Sequence, residues 1–127
     1  MANRFWYEKV RSLLVGRADI SGSFAPNGSS ALASSGVRGK GFTVARTSTG
    51  LFTITLADQY AKLVSATAGL QLATGDDKVL QFGTYVAASR TLELRVWDVS
   101  GAAVADIAAD ANNRIHFDLV LSVSSVD

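Results

Sequence analysis

His116 is the chain's one histidine, and on a strand it shares a face with Asp118 and Ser122. Those three residue types are the parts of a nucleophilic triad. A triad needs the imidazole between hydroxyl and carboxylate at contacts of about 3 Å, with the acid orienting the ring. Alternate residues of an extended strand stand about 7 Å apart, so a single strand face cannot supply that geometry. His116 reads instead as an exposed or interfacial histidine. Asp106 and Asp110 would share a helical face, with Asp98 nearby, and raise the question of calcium. Calcium takes about six to eight oxygens, often from a loop of alternating acids with a Gly. That pattern is missing, so these acids read as solvated. Asp76 and Asp77, within Thr74-Gly75-Asp76-Asp77-Lys78, read as turn residues.

Other chemistries find equally little. A hydrolase of glycans or cell wall needs a carboxylate pair in a cleft. Glu8, Glu93 and scattered Asp residues offer no paired motif. Gly39-Lys40-Gly41 shares only a fragment with a phosphate loop and lacks the Gly-x-x-x-x-Gly-Lys-Ser/Thr spacing, so it reads as a flexible lead into a strand. Asn27-Gly28-Ser29 fits the glycosylation acceptor pattern, but without a secretion signal it reads as a turn. The chain has no Cys, which removes disulfides and thiolate metal sites. No catalytic residue, metal or cofactor is therefore expected.

Composition bounds the rest. The 127 residues fit one domain, with 48% hydrophobic and only 18% charged residues. Twelve Lys and Arg face eleven Asp and Glu, for a net charge of +1. That balance gives no basic face for a phosphate backbone, so nucleic acid is not expected as a partner. Near the N-terminus, Lys9 and Arg11 precede the short apolar run Leu13-Leu14-Val15. An export signal needs about 7–15 apolar residues and a membrane span about 18. Neither is expected, which points to folding in the cytoplasm.

Period-two alternation, the mark of half-buried strands, dominates the chain. Phe42, Val44 and Arg46 fall on one face of the run Gly41 to Thr47, and Phe52, Ile54 and Leu56 on one face of Leu51 to Leu56. Ser48-Thr49-Gly50 joins them as a hairpin whose last loop residue is left-handed. A second hairpin joins Val79 to Val86 (Leu80, Phe82 and Val86 inward) to Thr91 to Asp98 (Leu92, Leu94 and Val96 inward) through Ala87-Ala88-Ser89-Arg90. Lys62 to Leu72 reads as a further strand with Val64, Ala66, Ala68, Leu70 and Leu72 on one face. Arg114 to Val123 is the last, with Ile115, Phe117, Leu119 and Leu121 inward. Val10 to Ile20 is a less regular first strand. Ser21 to Gly41, with five of the eleven Gly and the one Pro, reads as a long loop, of the kind that is functional or mobile. Gly101 to Asn113 is Ala-rich and fits a short helix or a crossing loop. The expectation is an all-β single domain spanning 1–127. It is a sandwich or small barrel of six to seven mainly antiparallel strands, with an N-terminal arm at 1–9 and the Gly/Ser-rich loop at 21–41.

What remains are binding features. Phe5, Trp6 and Tyr7 are adjacent, and three adjacent aromatics cannot all face one core from one strand. Trp97 falls on the outer face with Glu93 and Arg95, and Val120 on the polar side of its strand. Outward apolar residues of this kind fit a subunit contact or a second packed sheet. With Arg38, Lys40 and His116, these are the candidate interface residues.

Gly39-Lys40-Gly41-Phe42-Thr43-Val44-Ala45-Arg46-Thr47-Ser48-Thr49-Gly50-Leu51-Phe52-Thr53-Ile54-Thr55-Leu56-Ala57-Asp58-Gln59-Tyr60 resembles a segment of small virion structural proteins of tailed bacteriophages. Asn113 to Leu121, continuing to Ser124-Ser125-Val126, is similar to their C-terminal ends, and Val15 to Gly41 is similar to their Gly-rich lead. The likeness covers most of the chain from about Leu13 on, through structural motifs of moderate specificity. It implies a virion component, first of all a capsid decoration (cement) protein. Such a protein is small, β-rich and often trimeric, binds the major capsid protein, and assembles in the host cytoplasm without cofactor or membrane. The resemblance assigns no binding residue to a position. A tail or fibre module that binds a host receptor is the alternative.

Overall fold

The computed structural model describes residues 16–123. Among them the chain forms β1 (Arg17–Phe24), a single 3-10 turn (Ser34–Gly36), β2 (Val37–Gly39), β3 (Phe42–Ser48), β4 (Leu51–Leu56), β5 (Lys62–Gln71), β6 (Lys78–Val86), β7 (Thr91–Asp98), β8 (Ala103–Val104) and β9 (Arg114–Ser122). Two antiparallel sheets result. The first has the order β2-β1-β9-β5; the second runs β3-β4-β7-β6, with β8 added beside β7. The architecture is an all-β sandwich, which decides between the sandwich and the barrel.

The inner strands follow their alternation closely. Phe52, Ile54 and Leu56 of β4, Leu92, Leu94 and Val96 of β7, and Ile115, Phe117, Leu119 and Leu121 of β9 are all buried. Each such side chain contributes about 1.5–3 kcal/mol by leaving water. A line of rings ties the two sheets together. Phe52 packs on Phe24 with centroids 4.9 Å apart, Phe24 on Phe117 at 6.4 Å, and Phe117 edge-on to Phe42 at 4.9 Å. Phe24 and Phe117 belong to the first sheet, Phe42 and Phe52 to the second.

The edge strands depart from simple alternation. The register shifts after Arg46 in β3, between Leu63 and Ser65 in β5, and between Phe82 and Tyr85 in β6. A bulge inserts one residue and reverses the inward phase beyond it. Val64 and Val86 were expected inward; the bulges leave them 38% and 46% exposed, and Leu63 and Tyr85 pack on the core instead. The fourth edge, β2, is only three residues long. Bulged and very short edges resist pairing with another chain's strand.

Two further expectations are corrected and a third is decided. The first strand starts at Arg17 and runs on to Phe24, and Val37–Gly39 also pairs, so the expected 21–41 loop shrinks to the connection between β1 and β2. Its Gly and Ser content hid two strand segments. Ser48 pairs with Leu51, which leaves Thr49-Gly50 as the hairpin link, with Gly50 left-handed at φ 65° as expected. Of the short helix and the crossing loop expected at Gly101 to Asn113, the structure has the loop; it buries Ile107 and adds β8 to the sheet. The expected arm at 1–9 and residues 10–15 of the expected first strand lie outside the described residues.

Candidate functional site

β9 lies inside the first sheet, between β1 and β5, so its outward side chains form the middle of an open face. Register sets the rows. Val120 lies between Asp19 and Ser65, Asp118 between Ser21 and Thr67, and His116 between Ser23 and Gly69. Arg38 of β2 pairs with Ser23 and extends the His116 row. Ser21 Oγ donates to Asp118 Oδ1 at 2.8 Å, and His116 Nε2 lies 2.9 Å from Gln71 Oε1. The serine thus meets the aspartate directly, and the imidazole faces an amide. Ser122, the triad's third residue type on this strand, is fully buried.

A shallow depression of about 320 Å³ opens on this face, lined by Thr67, Ala68, Gly69, His116, Phe117 and Asp118. Gly69 makes its floor: a Cβ there would meet nothing within 4 Å. Glycine in a strand interior gives up packing and costs about 0.5–1 kcal/mol against a residue with a side chain. No neighbour requires that cost at Gly69.

Asp19 and Asp118 are diagonal neighbours across the β1–β9 seam. The Asp19 carboxyl is raised from 3.8 to about 6, first by a hydrogen bond to the Asp118 side chain, then by burial and by the Asp118 charge. Burial and a neighbouring carboxyl both disfavour the charged form of Asp19. Folding therefore takes up a proton between pH 3.8 and about 6, and stability falls as pH rises through that window. Asp19→Asn, which cannot ionise, should raise the denaturant midpoint at neutral pH and give no gain near about pH 4. An equal gain at both pH values would contradict the raised Asp19 carboxyl. Arg38 and Arg114 border the face. Arg114 donates to Ser23 Oγ and Gly36 O, both at 2.8 Å; partial burial, then the charge of Arg38, hold its pKa below the ordinary arginine value.

The structure brings Arg38, His116 and Val120 to this one face and leaves Lys40 exposed at the corner between β2 and β3. Trp97 lies elsewhere, on the outer side of the second sheet. It was expected to stand outward, but it is half-buried because Val79 of β6 and Val104 of β8 pair on either side of it. Phe5, Trp6 and Tyr7 lie outside the described residues. On the same strand face as Trp97, a second depression of about 330 Å³ is lined by Thr53, Thr84, Val86, Thr91, Glu93 and Arg95. Arg95 donates twice to Glu93 Oε1, at 2.6 and 3.2 Å. Gly83 in the β6 bulge leaves the room, since a Cβ there would come within 2.9 Å of the Glu93 carboxylate.

Asp106 was expected to be a solvated acid. It instead holds Arg46 through both oxygens, at 2.9 and 3.1 Å, and accepts the Gly50 amide at 2.9 Å. It borders a cleft of about 310 Å³ with Asp76, Lys78, Asp110 and Asn113. There Lys78 pairs with Asp76 at 2.8 Å, and Asp110 accepts the Asn112 amide. Among the described residues no group of three or more acids and histidines is arranged to hold a metal ion, and no helix is long and apolar enough to cross a membrane. Asp19 and Gly69 are the site residues that reasoning from sequence missed. Only the strand register places Asp19 beside Asp118.

Family models, curated proteins and solved structures were all compared with the chain, and none matches it.

Proposed function

We propose that this chain is a non-enzymatic virion structural protein, a capsid decoration protein that binds the major capsid protein lattice and stabilises the head, with a homotrimer as the favoured form. The outer face of the first sheet carries the reading. It is broad, it centres on an interior strand, and it mixes Val120 with His116, Asp118 and a glycine-floored depression. Val64 and Val123, 38% and 61% exposed, add apolar surface toward the end of the sheet where β9 finishes. Contiguous apolar surface with a polar rim is what a protein partner covers. The blunted sheet edges favour docking through a face. The polar groups that might have done chemistry are tied into structural contacts.

Purified full-length protein mixed with heads that lack it should cosediment with them at a fixed number of copies per capsomer. Gly69→Val fills the depression with a strand-favouring side chain. It should leave folding stability unchanged or raise it by about 0.5–1 kcal/mol, yet weaken head binding at least tenfold. Binding to host cells and not to heads would overturn the reading. The tail or fibre module remains the second reading, supported by the Glu93–Arg95 depression with Trp97 two residues further along the same strand face. Recognition of a receptor needs such converging polar groups beside an aromatic ring.

A further inference from the structure

We infer that the Glu93–Arg95 depression, on the outer face of the second sheet, is a binding site for a neutral saccharide. It lies on the sheet opposite the proposed docking face, so the inference goes beyond the decoration reading and does not depend on it.

The bulge in β6 builds the site. Phe82 pairs with Leu94 and Tyr85 with Leu92, so Gly83 and Thr84 together oppose Glu93. A bulge of two residues against one re-aims side chains, and such bulges are frequent beside functional sites. Here the Glu93–Arg95 pair lies over Gly83. A Cβ at Gly83 would come within 2.9 Å of Glu93 Oε1 and 3.0 Å of Arg95 Nη2. Nε and Nη2 of Arg95 both donate to that one Oε1, at 3.2 and 2.6 Å. Glu93 Oε2 is left as an acceptor and Arg95 Nη1 as a donor. No described residue takes up either of them, or the Thr84 hydroxyl. The Thr53 and Thr91 hydroxyls are held by Thr47 at 2.6 Å and Ser89 at 2.8 Å, and each keeps capacity for a further hydrogen bond. Val86, exposed by the same bulge, adds an apolar patch to the lining.

This lining selects by chemistry. Its one acid and one base neutralise each other, so fixed charge attracts neither an anion nor a cation. An apolar ligand would strip water from the charged pair without replacing its hydrogen bonds. A sugar replaces them. Each sugar hydroxyl both donates and accepts, so one can donate to Glu93 Oε2 while its neighbour accepts from Arg95 Nη1. Both bonds are charge-assisted. The C–H face of the ring can then rest on Val86. The volume of about 330 Å³ falls in the range of small-molecule sites.

The full-length protein, labelled with 15N, is titrated with glucose, galactose, mannose and N-acetylglucosamine, and with short linear oligomers of each. At least one should saturate, with shifts centred on the Thr84, Glu93 and Arg95 amides and on Arg95 Nε. An oligomer that binds more tightly than its monomer assigns the site to a polysaccharide; equal binding assigns it to a free sugar. Glu93→Gln and Thr84→Val should each weaken that binding at least tenfold while the denaturant midpoint stays near wild type. Absence of saturation with every sugar would overturn the inference. So would shifts centred outside the depression, or binding unchanged in both variants. Glucuronate or galacturonate binding more tightly than its neutral parent would also overturn it, because Arg95 would then serve an anion. Heads take no part in these titrations, so a failure here leaves the capsid reading standing, and failed cosedimentation leaves this site standing.

Discussion

Replacing Phe42 by alanine is expected to cost about 3–5 kcal/mol of folding stability, read as a lower denaturant midpoint at unchanged slope. Phe42 enters from β3, an edge of the second sheet, and its ring crosses to the first sheet. There it lies against Phe117 and over two glycines. A Cβ at Gly22 would collide with the Phe42 ring, and one at Gly39 would come within 2.6 Å of it. An aromatic side chain laid over backbone that lacks side chains restores the contacts the glycines give up. Gly22→Ala should then destabilise by about 1–3 kcal/mol through overpacking. Because the methyl and the ring compete for one space, the double variant Gly22→Ala/Phe42→Ala should lose clearly less than the sum of the two. Additive losses would mean that Phe42 does not occupy the space above Gly22.

The second large effect is expected at the β3–β4 turn. Gly50 is left-handed, and a Cβ there would come within 2.7 Å of the Ala105 amide nitrogen and 2.8 Å of its carbonyl oxygen. Both obstacles are backbone, so they cannot swing aside. Gly50→Ala combines about 1 kcal/mol of conformational strain with that clash, and a total above about 3 kcal/mol is expected. The same corner is clamped by Asp106, which binds the Gly50 amide and the Arg46 guanidinium. Arg46 is the main cause that holds the Asp106 carboxyl below the ordinary aspartate value. A lowered carboxyl pKa stabilises the fold above the unfolded value and loses that contribution as pH falls below it. Asp106→Asn should therefore destabilise at neutral pH, by about 1–3 kcal/mol, and much less in strong acid. Asp106 and Asp19 act with opposite sign: acid weakens the first and rising pH weakens the second. A thermal or denaturant profile taken against pH separates them.

The sandwich was legible wherever a strand lies inside a sheet. Leu51 to Leu56, Thr91 to Asp98 and Arg114 to Val123 alternate cleanly because both edges of each strand are paired and one side faces the core. Val64 and Val86 were misplaced because edge strands bulge, and a bulge leaves no local mark in residue type. Ser21 to Gly41 looked like one loop because Gly22 and Gly39 were counted as turn residues; they are strand residues kept bare for the Phe42 ring. Asp106 could not be read correctly from its neighbours, since its partner Arg46 is 60 residues away. Asp19 drew no attention for the same reason. His116 and Val120 were picked out because the alternation of a single strand already put them outward. Trp97 was placed on the right side of its strand, but the cover from Val79 and Val104 depends on pairing that a linear reading does not contain.

Imaging the assembled particle with this protein bound tests the docking account most directly. The account predicts density at capsomer junctions, with β1, β9 and β5 facing the shell and Val120 and Gly69 at the contact. Heads without this density, or copies seated on the shell by the opposite sheet, would contradict it.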